Sequence, residues 1–240
     1  MKQVQDTSPI LTETKSGLIS YSGYQAEYHL GGINLYQMDC MELLRQTPDK
    51  YYSLGIIDPP YGIGVDGQKK STSKHGGRRE KEFKNWDNQT PKKEYWEQLF
   101  RVSKNQIIWG ANYFTEYLPP SMGWIFWDKG QRICNSDGEL AFSSFQRALR
   151  VYEVNRVHIT QNGDTEHPTQ KPVKLYRWLL KNYAKEGDKI LDTHGGSMSS
   201  AIACHQMGFD LTLCELDKDY YEAGVKRFRE QTMQQSLFKP

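Results

Sequence analysis

The stretch Lys189-Ile-Leu-Asp-Thr-His-Gly-Gly-Ser197 decides the fold, because an apolar run leads through a glycine-rich turn into a helical pattern. It predicts a strand at 189–191 and a helix at 199–207, with backbone open to a ligand at the helix N-terminus. The next predicted strand, 210–213, precedes Glu215, an acid about 20 residues after the turn, where it can bind a ribose. This spacing indicates a nucleotide-binding fold. NAD is a rival ligand, although the turn lacks the Gly-x-Gly-x-x-Gly pattern.

Strands and helices continue to alternate upstream and downstream of this turn. The alternation predicts an α/β fold of Rossmann-like type, with a mostly parallel central sheet and helices on both faces. The length of 240 residues fits one such domain with a small insertion. The further expected strands are 34–39, 52–57, 106–109, 123–127, 139–145 and 155–160, and the further expected helices are 41–46, 92–103, 173–184 and 218–230.

Composition excludes several classes of protein. Hydrophobic residues make up 37% of the chain, and no apolar run approaches the roughly 18 residues that a membrane span needs. The polar N-terminus lacks the order of a secretory signal, so the expected location is the cytoplasm. The four cysteines have neither zinc-ligand nor disulfide spacing, and no metal is expected.

The tetrapeptide Asp58-Pro-Pro-Tyr61 directly follows the apolar strand 52–57, at the carboxyl end of a sheet strand, where open α/β sheets bind ligands. The prolines fix the backbone in a rigid frame of carbonyl acceptors. Asp58 adds a carboxylate acceptor, and Tyr61 offers a flat face for a base. Such acceptors can bind the hydrogens of an exocyclic amine and favour attack by its nitrogen. A proline-rich turn without any chemistry is the alternative for the tetrapeptide alone.

Five segments together resemble the amino-DNA methyltransferases of the β arrangement, in which the motif order is circularly permuted and the catalytic tetrapeptide precedes the cofactor turn. The resemblance covers most of the span 34–227 and implies transfer of a methyl group from S-adenosylmethionine to a flipped base of duplex DNA. The segments are Gln37-Met-Asp-Cys40, Asp58 to Tyr61, His167-Pro-Thr-Gln-Lys-Pro172, Asp192 to Ser197, and Glu215-Leu-Asp217 with Tyr220 and Tyr221.

The resemblance also implies roles for single residues. Asp39 would contact the adenine of the cofactor, Glu215 its ribose, and segment 169–171 with the turn its methionine end. Asp58 and the Pro59 carbonyl would hold the target amine while Tyr61 stacks on the base. The catalytic candidates are therefore Asp58, Pro59, Pro60 and Tyr61, and the cofactor-binding candidates are Asp39, Cys40, Asp58, Thr169, Gln170, Lys171, Asp192, His194, Gly195, Gly196, Ser197, Glu215 and Leu216.

The target is expected to be adenine N6, because an Asp-led tetrapeptide is commoner among adenine enzymes of the family and a Ser-led one among cytosine enzymes. Cytosine N4 is the alternative, since both amines present the same two hydrogens. The family's Asp-Pro-Phe-x-Gly-Ser-Gly turn is altered here at His194 and Met198. Because of that departure, a catalytically silent nucleic-acid-binding subunit is an alternative. An RNA methyltransferase is a third, less favoured reading.

A basic stretch follows the tetrapeptide. Residues 68–93 contain nine Lys or Arg and three acids, a local charge of +6 in a chain whose net charge is +2. This surplus beside the tetrapeptide favours contact with the phosphates of duplex DNA, and a solvated surface loop is the alternative. The candidate DNA contacts are Lys69, Lys70, Lys74, Arg78, Arg79, Lys81 and Lys84.

These assignments divide the chain into five segments. They are a polar extension at 1–33, a catalytic half at 34–127 with a basic loop at 62–93, a target-recognition insertion at 128–166, a cofactor-binding half at 167–230 and a flexible tail at 231–240. The small insertion suggests a homodimer. The tail peptide Gln234-Gln-Ser-Leu-Phe238 resembles sequences that dock on the bacterial sliding clamp, with a frayed amphipathic end as the simpler reading. No membrane partner is expected, and the resemblance suggests a restriction-modification setting in a bacterial cell or phage-infected host.

Overall fold

The structure is a computed structural model that describes residues 11–14, 17, 19–21, 24–67, 84–130, 136–155 and 170–236. The described strands are β1 Thr12–Glu13, β2 Ile19–Tyr21, β3 Tyr24–Gln25, β4 Tyr28–Leu30, β5 Ile33–Gln37, β6 Tyr52–Ile57, β7 Ser103–Trp109, β8 Ile125–Asp128, β9 Gly138–Ser143, β10 Arg150–Glu153, β11 Lys189–Asp192 and β12 Asp210–Glu215. The described α-helices are α1 Cys40–Gln46, α2 Lys93–Val102, α3 Val173–Tyr183, α4 Ser199–Met207 and α5 Lys218–Ser236.

One large sheet organises the described chain, in the strand order β10-β8-β9-β7-β6-β11-β12-β5-β4. The central run β7-β6-β11-β12-β5 is parallel, whereas β9 pairs antiparallel with both β7 and β8, and β4 pairs antiparallel with β5. A separate sheet joins β1, β2 and β3. The predicted α/β fold with a mostly parallel sheet is confirmed.

Helices cover both faces of this sheet, because its central strands are apolar on both sides. On one face α3, α4 and α5 contribute side chains such as Leu179, Ile202 and Phe228 to a core cluster that also contains Ile56 of β6. On the other face α1 and α2 contribute residues such as Leu44 and Leu99 to a second core cluster. That cluster also contains Ile57 of β6 and Ile108 of β7. The two cores hold the parallel strands in place, so their carboxyl ends form one rigid edge.

Segment 1–33 is not a purely surface extension. Ile19 and Tyr21 in β2 are buried, and the Tyr21 hydroxyl lies 2.6 Å from the Tyr52 hydroxyl. Strand β4 extends the main sheet by pairing with β5. The described residues of this polar extension are therefore partly buried, because tyrosine hydroxyls with partners can be buried with their rings.

Segment 128–166 contributes two strands to the central sheet. Strand β9 was expected and lies between β7 and β8, whereas the edge strand β10 was not expected, since its side chains are mostly exposed and show no buried alternation. The strand expected at 155–160 lies almost entirely outside the described residues. The role of the segment in target recognition stays a prediction.

The C-terminal helix is longer than the sequence pattern indicates. Helix α5 continues to Ser236, so the tail expected to be flexible from residue 231 is helical over its first part. The side chains of the clamp-like peptide Gln234 to Phe238 lie outside the described residues. Docking on a sliding clamp stays a prediction.

Helix α5 also supports the turn before α4 through a glycine. A Cβ atom at Gly224 would lie 2.5 Å from Met198 Cγ and 3.0 Å from the Gly196 carbonyl oxygen. Both distances are shorter than ordinary van der Waals contact, so this helix face must remain free of a side chain.

We predict that Gly224→Ala lowers the free energy of unfolding by about 1–2 kcal/mol, because overpacking outweighs the gain in helix propensity. Urea denaturation measures the change. The control Lys226→Ala alters an exposed residue of the same helix and should change stability by less than about 0.5 kcal/mol. A Gly224→Ala protein at least as stable as the wild type would contradict the close packing.

Candidate active site

A cavity of about 1340 Å³ opens where the carboxyl ends of four neighbouring strands meet. It is lined by Asp39 and Cys40 after β5, by residues 58–61 after β6, by residues 193–197 after β11, and by Glu215 and Leu216 at the end of β12. Gln170 and Lys171 close one wall. The structure thus brings together nearly all the candidate residues from five distant segments. Thr169 lies outside the described residues, and Asp192 does not line the cavity.

Two acids mark one end of the cavity. The Asp39 carboxylate caps α1 by accepting a 2.9 Å hydrogen bond from the Met41 N–H. The Glu215 carboxylate accepts hydrogen bonds from the N–H groups of Gly196 at 2.7 Å and Asp217 at 2.8 Å. Burial raises the pKa of Glu215 against these hydrogen bonds. Each oxygen keeps a lone pair, so both acids can also accept ligand hydroxyl or amino groups.

Cys40 and Leu216 sit beside these acids. Burial raises the pKa of Cys40 to about 12, which keeps its thiol protonated at neutral pH. Leu216 is 66% exposed, and its carbonyl accepts a 2.8 Å hydrogen bond from the Gln37 side chain. Both residues line the cavity with weakly polar surface, typical of the wall around a ligand's ring system.

Asp192 supports the glycine-rich turn from behind. Its carboxylate accepts hydrogen bonds from the His194 N–H at 3.0 Å and from the Ser200 hydroxyl at 2.5 Å. Burial raises its pKa to about 7. The residue is 2% exposed and shapes the turn from behind the cavity wall.

His194 takes the place of the aromatic residue of the related turns. Its Nδ1 lies 2.9 Å from the Thr193 hydroxyl, which in turn lies 2.7 Å from the Tyr95 hydroxyl, and its ring meets Tyr95 edge to face. Burial lowers the pKa of His194 to about 4, so the imidazole is uncharged at neutral pH. It therefore presents a neutral flat surface to the cavity.

Met198 stands at the position where the family's turn has a glycine. Its φ is 58°, in the left-handed region that side chains rarely adopt. The side chain is fully buried in the core beside Gly224. Burial of the thioether, worth about 1.5–3 kcal/mol, exceeds the strain of about 1–2 kcal/mol, so the turn tolerates the replacement.

Arg227 of α5 ties the turn to the segment that contains Lys171. Its guanidinium donates to the Ser197 carbonyl and, at 3.0 Å, to the Ser199 hydroxyl. The Ser199 hydroxyl then donates to the Lys171 carbonyl at 2.8 Å. The arginine fixes both walls of this end of the cavity relative to each other.

Gln170 has an unused acceptor in this region. The residue is 8% exposed, and its Oε1 is buried without a hydrogen-bond partner among the described atoms. A buried amide oxygen of this kind costs free energy unless a ligand or solvent donor satisfies it. The cavity wall therefore holds a position for a donor such as an ammonium group.

Asp58 is engaged at both carboxylate oxygens. The Tyr61 hydroxyl donates to Oδ1 at 2.6 Å, and the Lys171 ammonium donates to Oδ2 at 2.5 Å. Burial raises the pKa of Asp58, against the opposing effect of Lys171. The prolines of the tetrapeptide, Pro59 and Pro60, line the same wall.

A chain of buried charges continues from Asp58. Lys171 Nζ also lies 3.1 Å from Glu139 Oε2, and Lys129 Nζ lies 2.9 Å from Glu139 Oε1. Burial acts to raise the pKa of Glu139, but the two ammonium groups lower it to about 2. Two carboxylates and two ammonium groups therefore alternate along the wall with no net charge.

Tyr61 is held between aromatic and backbone neighbours. Its ring stacks on Tyr113 with centroids 5.3 Å apart and planes at 17°. Gly110 has a φ of 66°, and a Cβ there would lie 2.2 Å from a carbon of the Tyr61 ring. The chain therefore needs glycine at this position to leave room for the tyrosine.

Asp87 fixes the loop that carries Tyr61. Its buried carboxylate accepts hydrogen bonds from the N–H groups of Tyr61 at 2.6 Å, Gly62 at 2.9 Å and Val65 at 2.8 Å. Three donors on one carboxylate define the path of the loop.

Lys84 is the member of the basic set that the structure describes. Its ammonium lies 2.7 Å from Asp217 and 2.6 Å from Asp219, and its side chain is 19% exposed. These contacts tie it to the loop after Glu215, so a DNA phosphate would compete with two carboxylates. The other candidate DNA contacts, Lys69, Lys70, Lys74, Arg78, Arg79 and Lys81, lie outside the described residues.

The structure thus adds functional candidates that the sequence reading missed, namely Asp87, Lys129, Glu139 and Arg227. No local pattern indicates them, because their partners are distant along the chain. Among the described residues no group of acids, histidines and cysteines is arranged to bind a metal. The described helices include none with the length and apolarity of a membrane span.

We predict that Asp87→Asn increases amide hydrogen exchange at residues 61–65 by at least about tenfold, because an amide cannot accept from all three N–H groups. Hydrogen exchange followed by mass spectrometry measures the change. The control Glu97→Gln removes the charge of an exposed acid and should leave this loop unchanged. Equal protection of the loop amides from hydrogen exchange in the wild type and in Asp87→Asn would contradict the anchoring role of Asp87.

We predict that His194→Phe changes how stability depends on pH. The folded pKa of about 4 lies below the ordinary 6.5, so the unfolded chain takes up a proton in this window that the folded chain does not. Wild-type stability should therefore fall relative to the variant as pH drops from 6.5 to 4, by up to about 1.4 kcal/mol per pH unit. Melting curves test this, with a constant difference expected above pH 7. Parallel curves throughout would contradict a buried neutral imidazole.

Comparisons with known proteins show which proteins this chain is similar to. The DNA methylase family model N6_N4_Mtase matches residues 126–226. The type II methyltransferase M2.MboI of Moraxella bovis is 21% identical over 83% of this chain and 88% of its own length. M.HpaI of Haemophilus parainfluenzae is 31% identical over 32% of this chain, and the match spans only 24% of that relative.

Solved structures share the fold. The M1.HpyAVI–SAM complex has a TM-score of 0.55 at 18% identity, covering 81% of this chain and 99% of that one. PvuII DNA methyltransferase, described as cytosine-N4-specific, has a TM-score of 0.55 at 11% identity, covering 83% and 90%. Residues 126–226 are therefore similar in sequence to the N6/N4 DNA methylases, and the described chain shares the fold of the solved methyltransferases.

Proposed function

We propose that this protein is a site-specific DNA methyltransferase that moves a methyl group from S-adenosylmethionine to adenine N6 in duplex DNA. The observation that carries the proposal is the single cavity shared by the Asp58 tetrapeptide and the Glu215 end. A cofactor and a base bound there would lie side by side. The motif order, with residues 58–61 ahead of residues 192–197, supports the permuted β arrangement.

The cavity residues fit S-adenosylmethionine. Asp39 can bind the adenine amino group, and Glu215 the ribose hydroxyls, at one end of the cavity. The unpartnered Gln170 Oε1 can accept from the methionine ammonium, and the N-terminus of α4 favours its carboxylate. His194 supplies a flat neutral surface next to them. The substitutions at His194 and Met198 are therefore compatible with cofactor binding.

The chain's own groups prepare the target amine for attack. The target adenine must leave the duplex, because its amine cannot reach a methyl donor within the base stack. Asp58 and the Pro59 carbonyl accept the two hydrogens of the amine, which favours the pyramidal nitrogen. Tyr61, stacked on Tyr113, offers its ring to the flipped base.

S-adenosylmethionine held by Asp39, Glu215 and Gln170 would supply an electrophilic methyl group on its sulfonium sulfur. The lone pair of the amine nitrogen would form the C–N bond, and the C–S bonding pair would remain on sulfur. The methylated nitrogen then carries one proton too many. Asp58 is the carboxylate proposed to hold the amine, and burial raises its pKa. It can accept that proton and pass it to solvent.

The choice of adenine depends on Asp58. The fold does not distinguish adenine N6 from cytosine N4 as the target, since one structural neighbour is described as cytosine-N4-specific. An aspartate leads the tetrapeptide here, which supports adenine by family resemblance.

Duplex DNA as partner is supported by the +6 charge of segment 68–93, which adjoins the tetrapeptide loop. A homodimer and sliding-clamp docking through Gln234 to Phe238 complete the proposal. The bacterial relatives support action in a bacterial cytoplasm.

We predict that DNA incubated with the protein and S-adenosylmethionine yields N6-methyladenine when digested to nucleosides and analysed by mass spectrometry. Asp58→Asn should lower the rate by about 10²-fold or more, because it removes the charged acceptor of the amine. Calorimetry should still detect S-adenosylmethionine binding by this variant.

Two other outcomes would contradict parts of this proposal. N4-methylcytosine in place of N6-methyladenine would overturn the choice of adenine and leave the transferase activity standing. DNA binding by the wild type without detectable S-adenosylmethionine binding would instead identify a catalytically silent subunit.

A further inference from the structure

The row of buried charges formed by Asp58, Lys171, Glu139 and Lys129 has a feature that the proposed reaction does not explain. In this structure each oxygen of the Asp58 carboxylate, the proposed acceptor of the target amine, already accepts one hydrogen bond, Oδ1 from Tyr61 and Oδ2 from Lys171. An ammonium on Asp58 draws electron density from its oxygens and weakens them as acceptors for an incoming amine. The lysine must therefore loosen its contact with Asp58 when the base arrives.

Lys171 cannot leave Asp58 without another counter-ion. Its side chain is 2% exposed, and a buried ammonium without a partner is strongly disfavoured. Glu139 provides that partner, because Lys171 Nζ lies 3.1 Å from Glu139 Oε2 and 2.5 Å from Asp58 Oδ2. A small movement of the ammonium changes which carboxylate it binds more closely.

Glu139 is itself prepared for this exchange. Lys129 holds its other oxygen at 2.9 Å, and the Lys129 side chain is 7% exposed. Lys129 keeps the carboxylate ionised and in place, so the four groups remain neutral in sum wherever Lys171 sits. Strand β9 carries Glu139, and β9 lies between β7 and β8, which makes its position rigid.

We infer that Glu139 is a positioning residue that acts as the alternative counter-ion of Lys171, so that the lysine can release Asp58 to the target amine. The inference rests on the proposed function, since it concerns the amine-binding step of that reaction. Glu139 acts through Lys171 and does not itself contact the base.

The test compares Glu139→Gln with the double variant Lys129→Met/Glu139→Gln. The single variant leaves Lys129 without its carboxylate and is expected to lose stability. The double variant removes one charge of each sign and is expected to recover the melting temperature. Both should show kcat lowered by about tenfold or more, because Lys171 stays on Asp58 and weakens it as an acceptor in the transition state.

Binding supplies a readout apart from turnover. With S-adenosylhomocysteine present, the wild type should bind a duplex carrying the target adenine more tightly than the same duplex with purine, which lacks the 6-amino group. Both variants should lose this preference while binding the purine duplex as the wild type does. The control Glu153→Gln changes an exposed acid on β10 and should keep it.

The outcomes separate this inference from the proposed function. A wild type that methylates no DNA contradicts the proposed function. The role of Glu139 is overturned if the wild type methylates DNA and the double variant is stable, with the kcat and the preference for adenine of the wild type. The proposed function would still stand in that case.

Discussion

Parallel pairing of β6, β11, β12 and β5, in that order, determines where the candidate functional side chains lie. In a parallel sheet the carboxyl ends of neighbouring strands meet at one edge, and here each of the four strands ends on an acid or leads directly into one. Asp58, Asp192, Glu215 and Asp39 are therefore close in space although they are far apart in sequence. The helices on both faces bury the strands and keep this edge fixed.

Acids that lie close together at one edge of the sheet repel one another, and each is stabilised by different partners. Asp39 and Glu215 accept backbone N–H groups, and Asp192 has a hydroxyl and an amide. Asp58 is paired with a buried lysine, and that lysine is shared with Glu139. Buried ion pairs of this kind add little stability when compared with apolar packing, so their presence at the tetrapeptide is better explained by the chemistry they serve.

Much of this organisation follows from the sequence, because it depends on local pattern. The apolar run 52–57 and the turn 192–197 predicted the central strands and the place of the cavity, since periodicity and glycine act within a few residues. Strand β10 was missed because its exposed side chains have no periodic signal. Glu139 and Asp87 were missed because their roles depend on contacts across the sheet edge, which no local pattern encodes.

The turn accommodates the departures at His194 and Met198 through its local packing. Met198 retains the left-handed backbone of glycine, and Gly224 on the facing helix leaves space for its side chain. The proposed function requires that one cavity hold a cofactor between Asp39, Glu215 and Gln170, next to Asp58. A crystal structure with S-adenosylhomocysteine tests this placement directly. It should place the ribose on Glu215 and the amino group on Gln170, whereas density for the ligand outside this cavity would contradict the placement.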